Sequence, residues 1–275
     1  MKPERFISTV VVCCALGWWA PREACAQLSA DGDVAASFAS PAANPFVREQ
    51  LRFTRVRAAR SATESAIEKL FKARNIAYPA AEVYLRAFKL ERTLELWVRS
   101  ADKDKFELLK AYRICALAGG LGPKRKEGDG QVPEGFYLVD MFNPNSAYHL
   151  SIRIDYPNVH DQIGNSEGLD LGGEIYIHGG CRSDGCLAIT DEGINEVYWI
   201  ALTARAAGQQ QIPVHIFPGR FNGSADLRRI EQLVKPPRSL LDFWQTLKPG
   251  YDYFERHHRL PNVVVDVRGR YHVAD

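Results

Sequence analysis

The chain has 275 residues, 46% of them hydrophobic, and a formal charge of +2. That length buries one large core or two small ones. The charge balance is too even to imply nucleic acid as a partner.

Lys2 and Arg5 precede an apolar run from Phe6 to Ala20, and Ala24-Cys25-Ala26 offers a small-x-small cleavage site. This reads as a secretory signal peptide over 1–26, with cleavage after Ala26 and export from the cytoplasm. The run is too short for a membrane span, so no transmembrane segment is expected after its removal. Cleavage takes Cys13, Cys14 and Cys25 and leaves Cys115, Cys181 and Cys186. In an oxidising compartment, three cysteines suggest one pair and one free thiol.

Residues 27–46 are small, polar and Pro-bearing, a flexible leader. The stretch 47–80 is an N-terminal segment, helical and basic to Arg74, with Ile67, Leu70 and Phe71 at helical spacing. The period then changes to two. Residues 82–89 and 93–100 alternate around a charged turn as a hairpin, and 105–116 follow as a third strand. Gly119 to Gly128 is a loop without the Lys-Ser/Thr ending of a phosphate-binding loop. Strands are predicted over 136–141 and 148–154, with 156–161 as loop. A helix capped by Thr190 runs to about Ala207, with Asp191 and Glu192 at the positive end of its dipole. A strand over 212–217 carries His215, read as structural. Helices follow over 225–234 and 239–247, then strands over 262–267 and 270–273. The fold class is mainly β with peripheral helices (α+β). Residues 81–220 are taken as the main β-rich domain and 221–275 as an extension packed on it.

One stretch concentrates chemistry: a short apolar strand, a glycine-rich turn with a His and two Cys, and the capped helix, over Glu174 to Asp191. The spacing His178-x2-Cys181-x4-Cys186 alone leaves three readings open. His and Cys are zinc ligands; two cysteines make a disulfide loop; a thiol beside a base makes a nucleophile.

Ile177-His178-Gly179 followed by Ser183-Asp184-Gly185-Cys186 resembles the signature of the YkuD-type L,D-transpeptidases. Val132-Pro133-Glu134-Gly135-Phe136 resembles that family's Thr-Pro-x-Gly-x-Phe segment. Two departures stand out: the His-to-Cys spacing is shorter than usual, and Ala188 replaces an Arg often found two residues after the Cys. The glycine loop from Gly119, Tyr156-Pro157-Asn158 and the aromatic stretch Asp242 to Phe254 resemble an atypical branch. Its members are murein L,D-transpeptidase-like proteins of Gram-negative periplasms, some of which release lipoprotein from peptidoglycan.

The resemblance implies a YkuD-like β-sandwich and a substrate in peptidoglycan peptide stems, with a murein-linked lipoprotein as a further partner. It implies Cys186 as nucleophile, His178 as general base and proton donor, and no cofactor or metal. Carbonyls at Gly179 or Gly180 would orient the imidazole, and N–H groups of Gly185 and Cys186 would face the oxyanion. Ser183 would hold the turn or the substrate. Tyr156, Asn158, Asp161 and Lys124 are candidates for the substrate cleft. A Cys115–Cys181 disulfide would leave Cys186 free. The late aromatic segment is expected to cover the cleft.

Overall fold

The computed structural model describes residues 43–222, 228–232 and 235–274. The signal peptide and most of the leader expected over 1–46 lie outside the described residues. Two helices open the described residues, α1 (Pro45–Gln50) and α2 (Thr54–Ala73). The single helical segment read from the sequence is therefore broken at residues 51–53. Asn44 caps α1 through its side chain, and α2 buries Val56, Ala59, Ile67 and Phe71 along one stripe.

The sheet strands are β1 (Glu82–Phe88), β2 (Thr93–Arg99), β3 (Glu107–Arg113), β4 (Ala116–Leu117), β5 (Gly135–Asn143), β6 (Ser151–Ile154), β7 (Tyr176–His178), β8 (Leu187–Ala188) and β9 (Pro213–Phe217). They lie in the order β3-β2-β1-β9-β5-β6-β7-β8-β4. The register along β5 slips between Val139 and Met141, where pairing passes from β9 to β6. This irregularity marks where the pairing passes from one half of the sheet to the other. The edge strands β3 and β4 are consecutive in the chain, which curls the sheet towards closure. The fold is sheet-dominated with a few helices, as the sequence predicts.

Helix α4 (Asp191–Ala206) buries Ile194, Val197, Tyr198, Trp199, Ile200 and Leu202 in the main core. Thr190 caps it by accepting from the Gly193 N–H. A second core lies under α5 (Arg238–His257), where Trp244, Leu247 and Tyr251 pack on Phe88, Phe217 and Phe221. This helix runs ten residues beyond the predicted end at Leu247. Pro249-Gly250 reads as a breaker, yet Tyr251 and Phe254 keep burying the same stripe, and that outweighs the lost hydrogen bond. Gly250 is required by close approach, because a Cβ there would sit 2.7 Å from the Phe136 ring.

Because α5 covers it, the outer face of β1 and β2 is also buried, and the polar half of their alternation had to be paired. Arg86 is 1% exposed and bridges Glu95 at 2.8 Å and Glu255 at 2.6 Å. Residues 228–232 are helical, within the helix predicted over 225–234. A separate hairpin, β10 (Asn262–Val265) with β11 (Tyr271–Ala274), closes the described chain.

Candidate active site

Strand β7 runs parallel to β8, with Ile177 beside Leu187 and His178 beside Ala188. Ile177 and Leu187 are fully buried on the core side. His178 and Ala188 therefore share the opposite face, and Cys186, two residues before Ala188, shares it too. Strand spacing and rise put Cys186 and His178 roughly 8 Å apart at Cβ. Ala188, fully buried, is the small residue on that face beside His178.

Ser183 organises the turn. Its hydroxyl accepts from the N–H groups of Gly185 (3.3 Å) and Cys186 (3.1 Å) and donates to the Cys186 carbonyl (2.6 Å). Both N–H groups expected to face an oxyanion are thus held by Ser183 in this structure. Gly185 has φ +121°, a conformation L side chains rarely adopt, so glycine is what lets the chain present Cys186. The N–H aimed at Cys186 Sγ is that of Tyr176, at 3.4 Å, and Sγ lies 3.7 Å from the Glu174 carbonyl.

Cys115 and Cys181 are joined by a disulfide and Cys186 is the free, half-buried thiol. The bridge ties the turn to the strand edge, where Cys115 N–H donates to Ala188 O at 2.9 Å. A disulfide sulfur has no thiolate to give a metal, so the zinc reading loses one of its three ligands. Among the described residues no group of three or more His, Cys, Asp or Glu could hold a metal ion.

His178 is 2% exposed, and its Nδ1 lies 2.6 Å from the Gly179 carbonyl. A carbonyl only accepts, so Nδ1 carries the proton and Nε2 keeps its lone pair. Burial lowers the imidazole below its ordinary pKa, against the opposing pull of the Gly179 carbonyl. Burial raises the Cys186 thiol, an effect the Tyr176 N–H and the Lys124 charge oppose and Asp184 and Glu174 reinforce. Both shifts favour a neutral thiol beside a neutral imidazole over an ion pair.

The four cleft candidates spend their polar atoms inside the protein. Asn158 and Asp161 form the capping box of a short helix, α3 (Val159–Ile163). That helix occupies part of the stretch predicted as loop. The Asn158 amide also donates to Phe136 O at 3.0 Å and Tyr271 Oη at 2.9 Å. Asp161 is fully buried, and burial pushes its carboxyl up to about 7. Tyr156 is buried, with its hydroxyl towards Leu171 O at 3.3 Å. Lys124 is buried against Asp129 at 2.7 Å, yet its charge still reaches Cys186.

The loop around Lys124 has a rigid base. Lys89 and Glu134, both fully buried, pair at 3.1 Å. Glu134 also accepts from Gly122 N–H at 2.6 Å and Trp244 Nε1 at 2.7 Å. Gly185 backs onto this loop, where a Cβ would sit 3.3 Å from Gln131 O. The aromatic helix α5 thus holds the loop that walls the turn. Elsewhere, His215 donates to or accepts from Tyr84 Oη at 2.8 Å, and burial lowers it to about 3, so it stays neutral in the core.

The free thiol of Cys186 and the imidazole of His178 thus share one face beside the β7–β8 pair. Residues 92–216 match the YkuD family model, L,D-transpeptidase catalytic domain. An Escherichia coli K12 protein named "Putative L,D-transpeptidase YafK" is 39% identical over 216 residues, covering 78% of this chain and 81% of that one. The chain belongs to the YkuD L,D-transpeptidase family. Among solved structures, the helical cell shape determining protein Pgp2 of Campylobacter jejuni overlaps 67% of this chain and 73% of its own, at 18% identity and TM-score 0.40. Its K307A mutant overlaps 50% of this chain and 47% of its own, at 23% identity and TM-score 0.40.

Proposed function

We propose that this protein is a periplasmic cysteine enzyme that acts on peptidoglycan peptide stems through a thioester at Cys186. The observation that carries the reading is the placement of the one free thiol of the described residues on the same sheet face as a neutral, Nδ1-protonated His178.

Substrate enters over this face with the carbonyl at the L-centre of meso-diaminopimelate above Sγ. Nε2 of His178 takes the thiol proton as Sγ bonds to the carbonyl carbon. Tyr176 N–H, aimed at Sγ, is placed to donate to the oxyanion, and the Gly185 and Cys186 N–H groups join it only if Ser183 Oγ turns away. Collapse of the tetrahedral intermediate breaks the carbon–nitrogen bond, and His178 returns the proton to the leaving amine. Water then cleaves the thioester in a hydrolase, or an amine acceptor takes the acyl group in a transpeptidase. The resemblance to the atypical branch, some of whose members release lipoprotein from peptidoglycan, favours amide hydrolysis slightly over transpeptidation. Lys124 contributes its field at Cys186. The rival reading is a non-catalytic peptidoglycan-binding module of the same fold.

The test is digestion of purified sacculi by wild type and Cys186→Ala, with released muropeptides and protein identified by mass. New products from wild type alone are expected. Equal products from both would end the nucleophile assignment.

A further inference from the structure

The loop over 144–149 touches the catalytic stretch at one residue. The Tyr148 ring lies nearly parallel to the His178 imidazole, with centroids 4.6 Å apart and planes at 27°. Tyr148 O accepts the Gly179 N–H at 3.1 Å. At Gly180 a Cβ would come within 3.2 Å of Tyr148 Cδ1, so the ring also roofs the turn after the histidine. Tyr148 itself is 37% exposed, whereas His178 is 2% exposed: the tyrosine is the imidazole's cover on the solvent side.

This cover is anchored partly from outside the matched segment 92–216, by Arg55. Arg55 on α2 donates from Nη1 to the carbonyls of Ser146 and His149, the latter at 2.9 Å. His149 Nε2 lies 2.7 Å from Asn195 Oδ1 on α4. The Tyr148 N–H donates to Ser146 Oγ at 3.1 Å. His149 has φ +69°, a left-handed conformation that a non-glycine residue holds only when its surroundings impose it.

We propose that Tyr148 is the positioning residue of His178, and that Arg55 on α2 holds it in place. The role rests on His178 as the base. One hydrogen bond from Nδ1 to Gly179 O sets the tautomer but leaves the ring free to rock about that contact. A second contact across the ring face removes that freedom and keeps Nε2 over the sheet face towards Cys186, the near-attack geometry general-base catalysis needs. The same ring keeps water off the imidazole, the cause of its depressed basicity. The titratable groups around the ring are Tyr148 and His149 on the loop, Tyr176 on β7, Cys186 before β8 and Asp191 at the start of α4. Asp191 is occupied by the Gly180 N–H at 2.8 Å. Nothing among the described residues bonds to Tyr148 Oη, so the ring and not the hydroxyl is the working part.

The test compares Tyr148→Phe, Tyr148→Ala, Arg55→Ala and His178→Ala for kcat, KM and pH profile on soluble muropeptides, with melting temperature recorded for each. Tyr148→Phe is expected to match wild type. Tyr148→Ala is expected to lose roughly 10–100-fold in kcat, the scale of a lost positioning contact, with KM within about twofold. Its acid limb should move up towards the ordinary imidazole value. Arg55→Ala should move kcat and the acid limb the same way, by less. If His178→Ala abolishes turnover while Tyr148→Ala keeps the wild-type kcat and acid limb, the positioning role is wrong and the base stands. A rise in KM alone would make Tyr148 a substrate contact and equally overturn the proposal. If His178→Ala turns over like wild type, the base assignment itself falls.

Discussion

Cys186 and His178 stand diagonally across the parallel pair β7 and β8, on one face, without a hydrogen bond between them among the described residues. The thiol is engaged by backbone instead, and the imidazole by its neighbour's carbonyl. The shifts of both groups favour a neutral thiol and a neutral imidazole at rest.

A neutral pair has a pH signature. With His178 depressed by burial, kcat/KM should rise through an acid limb below the ordinary imidazole value of about 6.5. With Cys186 raised, alkylation by iodoacetamide should keep accelerating beyond the ordinary thiol value of about 8.5. A rate already on its plateau at pH 7 would instead mean a preformed thiolate.

Thiol counting on unreduced protein lacking residues 1–26 should return one reactive thiol, lost in Cys186→Ala. Cys115→Ser should free the turn from its strand edge and return two thiols, with a melting temperature several degrees lower. Loss of a native disulfide typically costs about 2–5 kcal/mol.

Ser183→Ala removes one donor and one acceptor shared by three backbone groups of the turn. The expected loss is about 1–3 kcal/mol of stability, together with a fall in kcat. If Ser183 instead contacted substrate, KM would carry the change.

Asp161 gives a stability signature. Its folded-state pKa, about 7, lies above its unfolded value, so the protonated form is favoured in the fold. Stability from this group is present at low pH and is lost as pH rises from about 4 towards 7. Asp161→Asn should flatten that decline, so its denaturation midpoint should gain on wild type with rising pH. A wild-type midpoint that climbs over the same window through this residue would contradict the burial argument.

Lys89→Met leaves Glu134 charged and sealed beneath Trp244, and breaking one side of a buried pair costs about 3–5 kcal/mol. Chemical denaturation measures it, and a near-neutral result would contradict the role given to the buried pair.

The strand–turn–helix around His178 and Cys186 was legible because its signals are local: an apolar strand, glycines at the turn, Thr190 as cap. The β1–β2 hairpin was legible from period two. The half of helix α5 beyond Leu247 was not, because Pro249 speaks locally for a stop while the stripe continuing through Tyr251 and Phe254 is fixed by contact with strands far away in sequence. Asn158-x-x-Asp161 carried the spacing of a capping box, a signal that would have placed both residues in structure. Tyr148 had no local signal, since it meets His178 only once β6 and β7 pair.

The central claim is a thioester on Cys186. Wild-type protein incubated with soluble muropeptides, quenched in acid and mapped by peptide mass should carry an acyl adduct on the peptide containing Cys186, released by hydroxylamine and absent from Cys186→Ala. Turnover of the same muropeptides with no adduct at Cys186, or with Cys186→Ala as active as wild type, would contradict it.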